Sequence, residues 1–489
     1  MSDAIAEQLL AQFGPNCIRL AADERAPFEH DWRGRTAAAA IAVALPHDVA
    51  TVQSLVRFCG AHRVAIVPQG GNTGLCGGSV PTPGLDRPQL ILSLARMQAV
   101  RELDLANDTV TVEAGCTLHA VQTLAADHDR LFPLSLASEG SCQIGGNLAT
   151  NAGGVQVLRY GTMRALALGL EVVLPDGSLW AGLRGLRKDN TGYDLKQLFI
   201  GAEGTLGIIT AATLRLFPRP RRQTVAWLAV PSPEGALELF HRLRSHFGEQ
   251  ISAYELIAQA PLDLAVRHIP GTRAPLADDH DWQILLQVDD YDSDAVTAVL
   301  AEVAEGNSGA DLLLDAVLAQ SEQQALNLWA LRENLSEAQR LEGPSLKHDI
   351  ALPMSRIPDF ITRADAALRR ADPGVRIVCF GHLGDGNLHY NLFPGKPSAS
   401  PAQLEHQSAG LTACVLDLVA ELGGSFSAEH GVGQFKVAAL EHYRDPLALQ
   451  LMHSLKQAWD PQQIMNPGKL FPAASPHSSS ASPLFSNPV

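Results

Sequence analysis

The sequence predicts an α+β chain of more than one domain, and three observations carry that reading. Its 489 residues exceed what a single hydrophobic core usually serves, so two or three domains are expected. Short β-branched runs open into glycine-rich loops with neither Gly-x-Gly-x-x-Gly nor Gly-Lys-Ser/Thr, which excludes a Rossmann fingerprint and a Walker loop. Past residue 220 the texture changes to longer helical patterns between short strands.

Composition narrows the class. Apolar residues at 46% and charged residues at 18% describe an ordinary soluble globular protein. The formal charge of -15 disfavours nucleic acid or an anionic membrane as partner, while leaving room for a local basic pocket. The Ala-rich run from Thr36 to Leu45 is too short to cross a bilayer, so no membrane span is expected. Asp3 and Glu7 precede any apolar run, which suits neither a secretory signal nor a transit peptide, and the expected location is cytoplasmic. The seven cysteines are scattered without a Cys-x-x-Cys pair and are expected as reduced thiols.

In chain order, the first 46 residues are a lead-in of mixed pattern. Asp48 is a plausible N-cap for a helix through Cys59, because Val52, Leu55, Val56 and Cys59 share one helical face. A strand from Val64 to Pro68 then runs into Gln69–Ser79, a loop with five glycines. Such a loop can lay consecutive backbone N–H groups on phosphate oxygens, since no Cβ holds the ligand off; a flexible surface loop has the same composition. Ser138–Gly154 is a second stretch of small residues, amides and hydroxyls, suited to a flat cofactor rich in ring heteroatoms. A third, Lys188–Leu195, leads through Phe199–Thr210 to a strand from Gly207 to Leu216, and Pro218 and Pro220 mark a domain boundary.

Beyond the boundary, Trp282–Val288 reads as a strand. The spacing predicts one helix over Ser321–Leu341, with Ala325, Leu328, Leu331, Leu335 and Ala338 as its apolar stripe. Arg332 sits on the edge of that stripe and needs an anionic partner, either a core carboxylate or a ligand. Ser336 follows one turn later on the same face, and Lys347 lies in a predicted strand over Ser345–Leu352. Val375–Phe380 reads as a strand that delivers His382; Gly384, Asp385 and Gly386 force a turn; His389 and Asn391 then point to one face and Tyr390 to the other. Most histidine pairs at such spacing are packed or solvated, but the glycine-rich surroundings favour a ligand. Two imidazoles converging across a turn suit zinc or another divalent metal. Glu429, in Ser427–Gly433, is the candidate third ligand, leaving His430 beside the metal as a base.

The glycine-rich segments, in this order and spacing, together with Gly381–Asn391, Glu429–Gly433 and Asn466–Lys469, resemble the vanillyl-alcohol-oxidase-type flavoproteins over roughly residues 30–472. Within them the match extends to the branch that oxidises D-2-hydroxy acids, the D-2-hydroxyglutarate dehydrogenases in particular. The resemblance implies an α+β architecture: a two-subdomain non-Rossmann FAD-binding domain over 1–220, an α+β substrate-binding cap over 221–425, and a segment over 426–472 returning to the flavin. The Ser/Pro-rich tail over 473–489 is expected to be disordered.

It also implies that the FAD pyrophosphate lies on Pro68, Gly70, Gly71, Asn72, Thr73, Gly74, Gly78 and Ser79. Ser138, Gly140, Ser141, Gly145, Gly146, Asn147, Thr150, Asn151 and Gly153 would line the cofactor further, with Gly204, Gly207, Ile209 and Asn466. Some relatives carry a flavin-bonded histidine near position 72; with Asn72 there, FAD is expected to be non-covalent, a thioether to Cys142 being the minor alternative. Arg332, Ser336, Lys347, Asn391 and His430 would contact substrate.

The expected reaction is metal-assisted oxidation of D-2-hydroxyglutarate to 2-oxoglutarate, an EC 1.1.99-type dehydrogenation in which His430 takes the hydroxyl proton. D-lactate dehydrogenase and a glycolate oxidase subunit are the family alternatives. Outside it, a zinc hydrolase predicts a colourless protein, and a flavin-carrying electron-transfer subunit predicts a yellow one that no hydroxy acid bleaches. With no nicotinamide fingerprint, the expected acceptor is an electron-transfer flavoprotein or a quinone-like molecule. A homodimer is compatible with the sequence.

Overall fold

The computed structural model describes residues 2–32, 34–35, 38–304, 312–395 and 401–473, without the side chains of 401–406. The tail from 474 onward lies outside the described residues, and with it most of the segment expected to be disordered.

Three sheets organise the chain. The first is small, in the spatial order Ile18–Arg19, Ala42–Ala44, Gln89–Ser93, Ala65–Gln69, its last three strands parallel. Its residues are apolar without alternation because both faces are covered. The helix Val49–His62 packs on it through Val52, Leu55, Val56 and Cys59, all fully buried, and Asp48 caps it by accepting the Thr51 N–H at 2.7 Å. The second sheet is antiparallel: Val100–Asp104, Thr109–Glu113, Ile208–Arg215, Ala167–Val173, Leu179–Gly182.

The third sheet has seven antiparallel strands in the order Asp315–Leu318, Gln223–Val230, Trp282–Asp289, Ile251–Ala258, Arg376–His382, Asn387–Phe393, Asp349–Ala351. Alternation divides its faces. Ala226, Leu228 and Val230 join the core under helices Pro233–Phe247 and Ile357–Ala371, while Val225, Trp227 and Ala229 join the core under Gln259–His268 and its neighbours.

Two sequence readings are corrected. The helix expected over Ser321–Leu341 is two helices, Glu322–Glu333 and Leu335–Glu342, because Asn334 turns its amide back to the Ala330 carbonyl at 2.8 Å and ends the first. Arg332 and Ser336 therefore stand on different helices, Arg332 buried and Ser336 exposed. The strand expected over Ser345–Leu352 pairs continuously only at Asp349–Ala351, with an isolated bridge from Leu346 to Leu392.

After residue 425 the chain leaves the third sheet and returns to the first. The Ile66 N–H donates to the Ile464 carbonyl at 2.7 Å, and the Asn466 N–H to the Ile66 carbonyl at 2.8 Å. None of the seven cysteines forms a disulfide. Among the described residues no helix is long and apolar enough to cross a membrane.

Candidate active site

A cleft of about 930 Å³ opens where the loop after Ala65–Gln69 faces the short helix Ile144–Ala149 and the start of Ile208–Arg215. Pro68, Gly70, Gly71, Asn72, Thr73, Gly74, Gly78 and Ser79 line one wall; Gly145, Gly146, Asn147 and Thr150 line another, with Gly204 and Ile209 beside them. The glycines are needed there. A Cβ at Gly71 would stand 2.0 Å from the Ser141 carbonyl oxygen, and one at Gly145 would meet the Ala114 side chain at 2.7 Å. Asn72 has a left-handed backbone (φ 53), and its side chain is held by the His30 carbonyl at 2.8 Å and the Ser79 hydroxyl at 2.7 Å.

The remaining predicted cofactor residues brace this lining from behind. Ser138, Gly140 and Ser141 make the turn against which Gly71 packs, the Ser141 N–H donating to the Ser138 carbonyl at 2.9 Å. Asn151 accepts the Arg164 N–H at 2.9 Å, Gly153 abuts the Glu429 side chain, and Gly207 packs on Val172. The Asn466 amide donates to the carbonyls of Gly78 at 2.9 Å and Glu203 at 2.7 Å. Cys142 is buried in the core of the second sheet and does not line the cleft.

Chemistry enters the cleft through His430, which lines it together with the loops. The Gly381–Asn391 region has the expected form: the strand Arg376–His382 delivers His382 at its end, Leu383–Asp385 turns, Gly386 is left-handed (φ 87), and Asn387–Phe393 returns. The His382 and His389 rings lie 5.7 Å apart, His389 Nε2 stands 3.6 Å from Glu429 Oε1, and the His389 and His430 rings stack at 5.8 Å. Glu429 Oε2 accepts the Gly154 N–H at 3.0 Å, which joins this cluster to the second cofactor loop.

Two buried carboxylates not singled out in the sequence hold the histidines. Asp349, 2% exposed, accepts the backbone N–H groups of Glu429 at 3.0 Å and His430 at 2.9 Å, and stands 3.5 Å from His430 Nδ1. Burial alone would raise its carboxyl; the facing His430 and His389 hold it well below the usual range. Glu255, 1% exposed, accepts from His382 Nδ1 at 2.6 Å and from Arg332 Nε at 2.8 Å. Burial opposes its ionisation too, but His382 and Arg332 bring it down to about 2; burial likewise disfavours the His382 cation, which Glu255 raises to about 9.

The most compact set of possible ligand atoms belongs to Asp349, His389, Glu429 and His430, all within 4.8 Å of one another, with His382 at its edge. Asp349 already accepts two backbone N–H groups on Oδ2 and the Asn387 amide at 3.0 Å on Oδ1, so three of its roughly four acceptor sites are taken, as suits an orienting group. His382 offers Nε2, its Nδ1 being engaged by Glu255, the carboxylate–histidine arrangement that divalent-metal sites use. His389 and Glu429 thus belong to a donor set that fits a cation, His382 standing outside that set with its ring 5.7 Å from that of His389, and the glycine cradle with the buried, partnerless Gln143 Oε1 fits a polar ring cofactor.

Arg332 is 7% exposed, lies 4.9 Å over the Phe380 ring, and buries an Nη2 that has no hydrogen-bond partner. Asn391 is buried with its amide in use: Oδ1 accepts the His348 N–H at 3.0 Å and Nδ2 donates to Gln339 at 2.9 Å. Lys347 is half-buried one residue before His348.

A third carboxylate lies in the Phe199–Thr210 stretch. Glu203, 9% exposed, accepts the N–H groups of Val432 and Gly433, both at 2.7 Å, and lines the cleft. It ties the turn carrying His430 to the cofactor loops. Sequence could have pointed to it as the one acid in Gly201–Gly207.

Residues 219–470 match the family described as FAD linked oxidases, C-terminal domain, and residues 40–181 match the FAD binding domain. The chain is 38% identical over 447 residues to the mitochondrial D-2-hydroxyglutarate dehydrogenase of Rattus norvegicus, covering 91% of this chain and 80% of that one. It is 36% identical over 478 residues to the D-2-hydroxyglutarate dehydrogenase of Stutzerimonas stutzeri, covering 96% and 99%. A mitochondrial protein of Schizosaccharomyces pombe named as a D-lactate dehydrogenase is 35% identical over 456 residues, covering 90% and 84%. Among solved structures, p-cresol methylhydroxylase with substrate bound aligns over 96% of both chains with a TM-score of 0.75 at 18% identity, a likeness of fold.

Proposed function

The chain belongs to the FAD-linked oxidases of vanillyl-alcohol-oxidase type, in the group that holds the D-2-hydroxyglutarate dehydrogenases, and from that premise we propose that it oxidises D-2-hydroxyglutarate to 2-oxoglutarate. It is an FAD-dependent oxidoreductase of D-2-hydroxy acids; the dicarboxylate, the metal and the acceptor are our reading. The observation that carries it is the placement of His430 in the wall of the cleft that the flavin loops form.

Bound FAD would supply the acceptor for the hydride leaving C2. A divalent cation, zinc or another, on His382, His389 and Glu429 would supply Lewis acidity toward the α-hydroxy carboxylate. The side chains do the rest. Asp349 faces His430 Nδ1, which leaves Nε2 to take the hydroxyl proton. Arg332, held at Nε by Glu255, would offer Nη2 to a substrate carboxylate, and Lys347, just ahead of the edge strand Asp349–Ala351, would add a second cation. Two cations and a metal favour a dicarboxylate over lactate or glycolate. An electron-transfer flavoprotein or quinone-like molecule would reoxidise the flavin, since the chain has no nicotinamide fingerprint.

The test is anaerobic. The purified protein is expected to be yellow, to bleach with D-2-hydroxyglutarate without nicotinamide, and to bleach more slowly after chelation. Faster bleaching by D-lactate or glycolate than by D-2-hydroxyglutarate would overturn the substrate assignment.

A further inference from the structure

We propose that Glu255 is a positioning residue that couples the cation site to the substrate-binding arginine, so that one carboxylate sets the aim of both. It sits in Ile251–Ala258, a central strand of the seven-stranded sheet, in register opposite His382. A carboxylate 1% exposed in the middle of a sheet is destabilising unless every charge it brings is answered. Here the answer is divided: Oε1 takes His382 Nδ1 at 2.6 Å and Oε2 takes Arg332 Nε at 2.8 Å.

Each bond determines what its donor does with its other end. With Nδ1 engaged, the His382 ring can present only Nε2 to a ligand, and its centroid lies 5.7 Å from that of His389. With Nε donating to Glu255 and its central carbon 4.9 Å over the Phe380 ring, the Arg332 guanidinium is held in place, and its Nη2 is buried and partnerless. A shift of the Glu255 carboxylate therefore moves a ligand nitrogen and a carboxylate-binding nitrogen together. The link between the halves of one substrate is built into the sheet rather than left to the substrate.

This rests on the reading of His382 as a ligand and Arg332 as a substrate contact. The experiment uses FAD-loaded protein and Glu255→Gln, whose amide can accept from one donor but not from both. Zinc affinity is read by competition with a chromophoric chelator, and binding of 2-oxoglutarate by perturbation of the flavin spectrum. Glu255→Gln is expected to weaken zinc by roughly 10–100-fold, the usual effect of losing a partner behind a metal-binding histidine, and to weaken 2-oxoglutarate as well. Unchanged affinity for both ligands in a variant that retains its flavin would overturn the proposal.

Should Glu255→Gln fail to fold, Arg332→Lys decides the coupling. An ammonium cannot reproduce the Nε edge, so zinc affinity is expected to change several-fold although Arg332 is not a ligand; zinc affinity equal to that of the unaltered protein would overturn it. Because the zinc readout needs no turnover, it stands apart from failure of the substrate assignment, which shows as the absence of bleaching by D-2-hydroxyglutarate.

Discussion

Single residues carry unusual responsibility where a buried carboxylate links distant segments. Glu203 holds a left-handed backbone (φ 52) and gives both oxygens to consecutive N–H groups of the turn that carries His430. Burial raises its carboxyl above the ordinary value, and those two donors and the buried Lys469 counter that push. Glu203→Ala would strand the Val432 and Gly433 N–H groups, at about 1–3 kcal/mol for each unsatisfied group. The expected outcome is a lower melting temperature and a slower turnover together; a melting curve and kcat equal to those of the unaltered protein would contradict the role. The partners of Glu203, Glu255 and Asp349 illustrate what linear inspection could not yield. Each carboxylate acts on a partner 230, 127 or 81 positions away, and no local pattern of residue types announces such a pairing.

Elements show the opposite balance. The turn between His382 and His389 was legible because Gly-Asp-Gly flanked by alternating apolar residues has few conformations available, and the strands appear where the alternation put them. The glycine-rich loop Gln69–Ser79 was legible for a similar reason, since its five glycines bring backbone to the wall of the cleft. Gly71→Ala tests it: a Cβ 2.0 Å from a carbonyl oxygen must displace backbone, so the variant is expected to purify without flavin, judged by its visible absorbance. The helix over Ser321–Leu341 failed because the apolar stripe continues through Asn334 while the backbone does not; periodicity reports the face and is blind to a side chain that bonds its own helix.

The second of those helices has its own electrostatic anchor. Glu342 ends it and accepts from His268 at 2.7 Å and Arg376 at 2.6 Å, and these donors, His268 first, hold its carboxyl at about 2. An unfolded glutamate titrates near 4.3, roughly. The anchor's stabilisation is therefore complete above that value and disappears as pH falls toward 2. Glu342→Gln should lower the melting temperature at neutral pH and converge with the unaltered protein near pH 2; a gap that widens on acidification would refute the assignment.

On the scale of the whole molecule, the site belongs to neither half. The first sheet and the Gly145–Thr150 region form the walls of the cleft, the seven-stranded sheet carries His382 and His389, the helix Glu322–Glu333 carries Arg332, and the turn at 427–433 is clamped between them. Arg159 reaches from the second cofactor region to Asp289 on the cap sheet at 2.5 Å, a nearly buried ion pair that fixes one half against the other. The order of the segments was readable from the sequence as a resemblance. Their meeting was not, because it depends on which faces of three sheets are apolar all at once.

The strap from Ile464 to Asn466 along Ile66 has a temporal consequence. Ribosomes release the nucleotide-cradling sheet hundreds of residues before they release the segment that buttresses it, and N-terminal regions fold first. Until residue 466 emerges, Gly78 and Glu203 lack the amide that pins them, so the nascent chain has a cradle without a floor. If the cleft holds FAD as proposed, capture of the dinucleotide is expected only after that segment emerges, and a protein truncated before Ile464 is expected to purify with less flavin.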